Sequence, residues 1–289
     1  MSEIRQFKAQ TPFSGFGLNI RVFNEAQLDS QRPLVAIHGW LDNGLSFKPL
    51  AAELPEYPII AVDLPGHGLS DHLPVGSTYE FVAFMKLMGE FLGYGPYESF
   101  DLMGHSLGAG IASLIAPVLG ERIGKLILVE GFGPLTKKPE EGPEQLKKHL
   151  QMVARVDRSK LPRPYPDLEM AAKVRKSAGA IGLNAARILV SGNMRQTEEG
   201  FFWTTDPRLK WPSAIMFSED QCLAYLKAVE QPTLFLKAEE SILRMRETLE
   251  RREQAINDLT IVNCPGAHHM HMDQPVPVAK AIRHFLARP

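Results

Sequence analysis

The sequence predicts an α/β fold in which a doubly wound, mostly parallel sheet carries a helical cap inserted after the sixth strand. Short apolar runs bounded by Pro and Gly alternate with segments of helical spacing. These runs have the continuous hydrophobicity of strands that are buried on both faces, as in a parallel sheet. The alternation lapses between about residues 134 and 215 and then resumes. Strands that alternate with helices favour a parallel sheet with right-handed crossovers.

Each element is predicted from its apolar pattern and its flanking Pro and Gly residues. The predicted strands are, in chain order, two within residues 4–23 and then 33–40, 57–66, 99–104, 125–131, 232–238 and 259–266. The predicted helices are 46–54, 79–93 and 107–124, with one more after each of the last two strands. Pro117 lies inside the third helix, where we expect it to kink or shorten the helix.

The lapse in the pattern predicts a division of the chain into a core and an insertion. We expect residues 1–133 and 216–289 to form the core and residues 134–215 to form a helical cap. The insertion opens on a Pro/Lys/Glu-rich stretch, continues with two or three helical segments and ends in the aromatic-rich GFFWTTDPRLKWP. An insertion at the carboxyl end of a strand lies where α/β proteins bind their ligands, and lids belong there.

Composition excludes several classes of function. The 32 basic and 33 acidic side chains give no field that would favour nucleic acid or an anionic membrane. Cys222 and Cys264 form no CxxC pair and no disulfide framework, which fits a reducing compartment. The first residues lack the apolar run of a secretory signal, and no stretch is apolar for the ~18 residues that a membrane span needs. We therefore expect a soluble, cytoplasmic protein.

Residues 104–108 read Gly-His-Ser-Leu-Gly, a G-x-S-x-G motif, and they predict an activated serine. The motif follows a short apolar strand and opens an apolar helix, which is the setting that a nucleophile elbow requires. The sharp turn would present Ser106 in front of the sheet, with Gly104 and Gly108 allowing close backbone approach. The N–H of Leu107 lies at the positive end of the helix and is a natural donor to an oxyanion.

A second oxyanion donor is expected just after the strand at 33–40. His38, Gly39 and Trp40 stand there, and the backbone N–H of Trp40 is the candidate. The side chain of His38 is expected to orient this loop and to take no part in the chemistry.

Four motifs now stand in order: HGWLDN (38–43), VDLPGHGLSD (62–71), GHSLG (104–108) and GAHHMHMDQP (266–275). Together they resemble the α/β-hydrolase superfamily, and HGWLDN…SF is most like the serine hydrolase-like, Kraken-type branch. The resemblance covers nearly the whole chain and implies the α/β-hydrolase fold, with the insertion standing where the family places its cap. It implies the substrate only weakly, because this fold hosts many chemistries.

The resemblance also implies which histidine is the base. The family places it after the last strand, in G-x-H followed by a spacer and Q-P or E-P, which selects His268 and leaves His269 as the neighbouring alternative. His269, His271 and Asp273 instead have the spacing of the HxHxDH zinc motif of metallo-β-lactamase-type hydrolases. Residue 274 is Gln, however, and only one histidine follows, whereas a catalytic zinc takes about three ligands from separated elements. We therefore expect no metal, and His271 either at the surface or supporting the site indirectly.

The acid is the open member of the constellation. Family members carry an Asp in a pattern like PTLxxxGxxD, and here PTLFLKAEES places Ser241 at that position. Glu239 and Glu240 are close in sequence, and Glu240 is kept as the alternative acid. Glu130 ends the apolar strand at 125–131, where a carboxylate is costly to bury unless it is paired. Some branches of the similar haloalkane dehalogenases place their acid at this point, so Glu130 is the first candidate.

The function that these residues predict is a cofactor-free serine hydrolase of carboxylesterase type, acting on small ester or related acyl substrates. Thioesterase, lactonase, perhydrolase and C–C hydrolase activities use the same constellation and stay open. A non-enzymatic ligand-binding protein on the same scaffold is the alternative from another class. The aromatic side chains of the insertion either line an acyl pocket or pack the cap onto the core; they are Phe201, Phe202, Trp203 and Trp211. Asp206 and Arg208 are expected to form a structural pair, and the oligomeric state is not predicted.

Overall fold

An eight-stranded sheet forms the centre of the computed structural model, which describes residues 4–155, 163–241, 243 and 248–288. The strand order is β1-β2-β4-β3-β5-β6-β9-β10, with β1 and β2 antiparallel at one edge and the other strands parallel. The strands are β1 (Arg5–Gln10), β2 (Gly17–Phe23), β3 (Leu34–Ile37), β4 (Ile59–Val62), β5 (Phe100–His105), β6 (Ile123–Val129), β9 (Thr233–Ala238) and β10 (Leu259–Cys264). The predicted doubly wound, mostly parallel sheet is confirmed.

Both faces of the sheet are covered by helices, as the apolar strands predict. Along β3, Val35 and Ile37 face one apolar cluster while Leu34 and Ala36 face the other, because successive side chains point to opposite sides. The first cluster is closed by α2 (Phe81–Tyr94), α3 (Leu107–Leu119), α7 (Glu219–Lys227) and α8 (Leu249–Glu253). The second is closed by α1 (Lys48–Glu53), α9 (Met270–Asp273) and α10 (Pro275–Leu286). None of the described helices is both long and apolar enough to cross a bilayer.

Pro117 is accommodated near the end of α3. The helix includes this residue and ends two residues later at Leu119, with Gly120 in a positive-φ conformation as the C-cap. The expected shortening is therefore seen, since the predicted helix ran to residue 124.

The segment between β6 and α7 is mostly helical, and it includes a hairpin that the sequence analysis missed. Its elements are α4 (Gly142–Arg155), α5 (Leu168–Ser177), α6 (Leu183–Asn193), β7 (Met194–Thr197) and β8 (Gly200–Trp203). β7 and β8 pair with each other, apart from the main sheet. Helices α5 and α6 share a small apolar cluster, to which Met272 of α9 also belongs. The insertion after the sixth strand is confirmed; the limits 134–215 stay a prediction, and residues 156–162 lie outside the described part of the chain.

Candidate active site

The turn between β5 and α3 holds Ser106 in a strained backbone conformation. Its φ is 52° and its ψ is −112°, a backbone conformation that residues other than glycine rarely adopt. The turn fits because its glycines admit close packing: a Cβ at Gly108 would lie 2.0 Å from the carbonyl oxygen of Ile37. The amide of Ser106 donates to the carbonyl of Val129 at 2.9 Å, so the turn is anchored to the end of β6.

Ser106, His268 and Glu130 come together at the carboxyl edge of the sheet. Nε2 of His268 lies 2.9 Å from Oγ of Ser106, and Nδ1 of the same ring lies 3.3 Å from Oε2 of Glu130. The three residues come from the ends of β5 and β6 and from the loop after β10. A hydroxyl, an imidazole and a carboxylate in this sequence of contacts can transfer a proton from the hydroxyl to the ring.

Glu130 is buried, and both oxygens of its carboxylate accept hydrogen bonds. Oε1 accepts the backbone N–H of Ala238 at 2.7 Å, and Oε2 accepts the hydroxyl of Ser241 at 3.0 Å. Burial by itself would raise the pKa of Glu130, but the hydrogen bonds from His268, Ala238 and Ser241 hold this pKa below its ordinary value. The carboxyl group is therefore ionised at neutral pH, where it can support a positive charge on the imidazole.

The alternative acids do not reach the imidazole. Glu239 and Glu240 lie in the loop after β9 with exposed side chains, and their backbone amides donate to the carbonyls of Cys264, at the end of β10, and Gly266. Ser241 stands where the family pattern has Asp, and its hydroxyl contacts the carboxylate of Glu130. The residue at the usual position of the acid, Ser241, therefore contacts the carboxylate, which Glu130 supplies.

The loop after β3 approaches Ser106 from the other side. His38 orients it: its Nδ1–H donates to the carbonyl of Gly39 at 2.7 Å, and its Nε2 accepts the N–H of Leu64 at 2.9 Å. Leu41 has a φ of 62°, an unfavourable value for a residue with a side chain. Trp40, in the middle of this turn, lines the same cavity as Ser106, and its indole N–H donates to Leu209 at 3.0 Å.

The three residues of the zinc-like spacing point to different partners. Nε2 of His269 lies 3.1 Å from Oδ2 of Asp42, whereas Asp273 accepts the N–H of Gly182 at 2.9 Å. His271 is fully buried, with its ring centre 4.1 Å from that of His105, so of its two expected positions, at the surface or in indirect support of the site, the surface one was wrong. It packs there because α9 turns its inner face onto the core.

A different set of potential metal ligands does converge, and the sequence analysis missed it. One nitrogen each of His105 and His269 and one oxygen of Asp42 lie within 4.8 Å of one another, and all three side chains are buried. Burial lowers the pKa of His105 to about 4, so this ring is neutral at pH 7. Asp42 gave a possible signal in the sequence, because it is a carboxylate close to the end of an apolar strand.

A cavity of about 400 Å³ opens in front of Ser106. Ser106, Leu107 and His268 lie on its wall, and most of the other lining side chains are apolar. Trp211 contributes to the lining, whereas Phe201, Phe202 and Trp203 do not belong to it. Trp203 instead packs against the apolar cluster of α5 and α6, so of the two expected roles, lining the acyl pocket or packing the insertion, it has the packing role.

Asp206 and Arg208 form the expected structural pair. Nη2 of Arg208 lies 2.6 Å from Oδ2 of Asp206, and the same guanidinium donates to the carbonyls of Leu73, Pro74 and Ser77. The pair joins the segment before α7 to the loop before α2, and neither residue is part of the cavity lining.

Comparisons with known proteins agree with this architecture. The family model described as "alpha/beta hydrolase fold" matches residues 32–275. A probable serine hydrolase of Drosophila melanogaster is 30% identical over 270 residues, covering 89% of this chain and 81% of that protein. A serine hydrolase-like protein of Danio rerio is 26% identical over 265 residues, covering 88% and 81%.

Solved structures extend the agreement to the whole chain. A hypothetical protein of Pseudomonas aeruginosa is 31% identical, with a TM-score of 0.86 over 98% of this chain and 99% of that one. A thioesterase domain from the curacin biosynthetic pathway is 25% identical, with a TM-score of 0.81 over 98% and 100%. Fold, matched residues and relatives together lead to one assignment. The chain belongs to the α/β-hydrolase fold family, in its serine hydrolase-like branch.

Proposed function

We propose that this protein is a serine hydrolase that cleaves carboxylic ester or thioester bonds through an acyl-enzyme on Ser106. The observation that carries the proposal is the unbroken set of contacts from Oγ of Ser106 through the ring of His268 to Glu130. Its position on the wall of an open cavity supports access by a small-molecule substrate.

The mechanism follows from the protons at these atoms. Nε2 of His268 takes the proton of the Ser106 hydroxyl while Oγ bonds to the carbonyl carbon of the substrate. Glu130 accepts the Nδ1–H of the same ring, fixes its tautomer and stabilises the imidazolium. The proton then passes to the leaving group as its bond breaks, and the acyl group stays on Oγ. Water repeats the sequence: it gives a proton to His268 while its oxygen bonds to the acyl carbon. The bond between that carbon and Oγ then breaks, Oγ of Ser106 takes the proton back from His268, and the carboxylic acid leaves.

The charge that develops on the carbonyl oxygen requires fixed donors. We assign this role to the backbone N–H groups of Trp40 and Leu107, which belong to the two segments that flank Ser106. The N–H of Leu107 begins α3, so it has no partner within the helix and lies at the positive end of the helix dipole. Removing one such donor typically lowers the rate about 10²- to 10³-fold.

The lining of the cavity favours an apolar acyl group. Its lining includes Phe81, Phe84, Trp211, Met216 and Phe217. Transfer of an apolar chain from water to such a surface would be favourable in free energy.

We place the protein in the cytoplasm, which is supported by the two unpaired cysteines, Cys222 and Cys264.

Labelling with a fluorophosphonate, followed by intact-mass measurement, tests the proposal. Wild type should gain one adduct and Ser106→Ala none, while His268→Gln should react about 10²-fold more slowly or worse. Glu240→Gln serves as the carboxylate control and should react like wild type. A folded wild-type protein that gains no adduct would contradict the proposal and favour the non-enzymatic ligand-binding protein.

A further inference from the structure

A buried carboxylate, Asp42, connects four parts of the site. Nη2 of Arg175, on α5, donates to Oδ1 of Asp42 at 2.8 Å, and Nε2 of His269, in the loop after β10, lies 3.1 Å from Oδ2. Nδ1 of His105, at the end of β5, lies 3.6 Å from the same oxygen. Asp42 itself belongs to the loop after β3. Nothing in the proposed proton transfer uses this carboxylate, although it is almost completely buried.

The protons of this network can be assigned from its partners. A carbonyl oxygen only accepts, so Nε2 of His105 must donate to the carbonyl of His268, 2.9 Å away. The neutral ring of His105 then has a lone pair on Nδ1, which faces Asp42 without a hydrogen bond. Oδ2 of Asp42 accepts a hydrogen bond from Nε2–H of His269, whose Nδ1 lies 3.3 Å from the carbonyl oxygen of Ala180. Arg175 forms an ion pair with the carboxylate through Oδ1.

The network supports the turn that carries one proposed oxyanion donor. Trp40 stands between Gly39 and Leu41, and Leu41 has the unfavourable φ of 62°. A Cβ at Gly39 would lie 2.8 Å from Nδ1 of His105 and 3.1 Å from Oδ2 of Asp42, so the turn packs directly on the network. Asp42 ends the turn, and its N–H donates back to Gly39 at 3.2 Å.

The network also contacts the proposed base. The carbonyl that His105 holds is that of His268, whose ring contacts Ser106. One buried group thus bears on the oxyanion turn, on the nucleophile elbow and on the loop of the base.

We propose that Asp42 is a positioning residue for the hydrolase reaction, and that Arg175 attaches the inserted helices to it. This inference rests on the proposed function. Docking of α5 places the guanidinium of Arg175 against Asp42, and this ion pair holds the N–H of Trp40 and the ring of His268 in place around Ser106. The inserted segment then determines the maximal rate of acylation as well as covering the cavity.

The experiment measures fluorophosphonate labelling as a function of probe concentration in Arg175→Met and Asp42→Asn. Positioning acts after the probe binds, so the limiting rate should fall about 10- to 100-fold while the half-saturating concentration stays within about twofold. Arg175→Lys keeps the positive charge and should recover part of the loss. Arg187→Met is the matched control, since it removes the exposed ion pair with Glu169 between α5 and α6. It should label like wild type.

Three outcomes would overturn the inference. A wild-type limiting rate in Arg175→Met would show that the pair does not position the site. A rise in the half-saturating concentration alone would indicate access to the cavity, and equal losses in Arg187→Met would indicate general loosening of the segment. Arg175→Met decides the question if Asp42→Asn does not fold. Failure of wild type to label would instead refute the proposed function, so the two failures are distinguishable.

Discussion

Replacing Glu130 with Gln tests the least conventional feature of the site. Gln keeps the size of Glu but removes the charge and turns one acceptor into a donor. If its oxygen keeps the N–H of Ala238, its amide nitrogen faces Nδ1 of His268 and the hydroxyl of Ser241. The Ser241 hydroxyl can rotate to accept, whereas His268 must move its proton from Nδ1 to Nε2. That tautomer has no lone pair for the proton of Ser106.

The size of the effect follows from this tautomer change and from the loss of charge. Amide replacement of the acid in a comparable triad lowers the rate about 10⁴-fold. The 3.3 Å contact between Glu130 and His268 is longer than an ordinary charged hydrogen bond, so we expect a loss of about 10³- to 10⁴-fold. This corresponds to about 4–5.5 kcal/mol in the activation free energy.

The assay is the hydrolysis of a short p-nitrophenyl ester, with fluorophosphonate labelling as a second measurement. Circular dichroism verifies that Glu130→Gln is folded, and Glu240→Gln provides the matched change on an exposed glutamate. Activity of Glu130→Gln within about tenfold of wild type would refute the assignment of the acid, because the tautomer argument then fails. A large loss in Glu240→Gln alone would restore the acid to the loop after β9.

Three further predictions concern the acid, the elbow and pH. The double variant Glu130→Ser, Ser241→Asp transfers the carboxylate from position 130 to position 241, whose side chain is in hydrogen-bond contact with Glu130. It should hydrolyse the ester about tenfold or more faster than Glu130→Ser alone. Equal rates would mean that the main chain at 241 cannot present the acid to His268. Gly108→Ala should lower the free energy of unfolding by about 3 kcal/mol or more, because its Cβ would meet the carbonyl of Ile37. Gly89→Ala in α2 meets no neighbour and should raise the free energy of unfolding by about 0.5–1 kcal/mol. Equal effects of the two variants in urea titrations would contradict the packing argument. The pKa of Glu130 is held below its ordinary 4.5, so its ionised form stabilises the fold at neutral pH, and this contribution is lost as pH falls from 4.5 through the lower folded value. Urea titrations should show a smaller acid-induced loss in Glu130→Gln, and identical pH profiles would refute the linkage.

The residues that meet at the site were predictable where local sequence carries the signal. Ser106 lies in a tight turn that requires Gly104 and Gly108 on either side of it, and both glycines are visible in the sequence. His268 lies in a loop that has the G-x-H…Q-P spacing. Glu130 was predicted because a carboxylate at the end of an apolar strand needs a partner. Inner strands such as β3 and β4 were predictable for a similar reason, since burial on both faces leaves a continuous apolar run.

Other features depend on contacts that no local pattern records. Asp42 and Arg175 are 133 positions apart, and their ion pair exists only because α5 docks on the loop after β3. The hairpin of β7 and β8 was missed because β7 is polar and partly exposed, with no apolar alternation to mark it. His271 was expected at the surface or in indirect support of the site, and only the packing of α9 shows that it is buried.

The strained backbone of the site limits how this protein can be made more robust. Four described residues other than glycine have a positive φ, and Leu41, Ser106 and Glu130 are three of them. Each such residue stores about 1–3 kcal/mol of conformational strain. A laboratory selection for heat resistance alone would therefore favour glycine at these positions and would erase the proposed chemistry as the melting temperature rose. We expect substitutions that raise the melting temperature and keep the proposed activity at the amino edge of the parallel strands, because the residues there take no part in the proposed reaction.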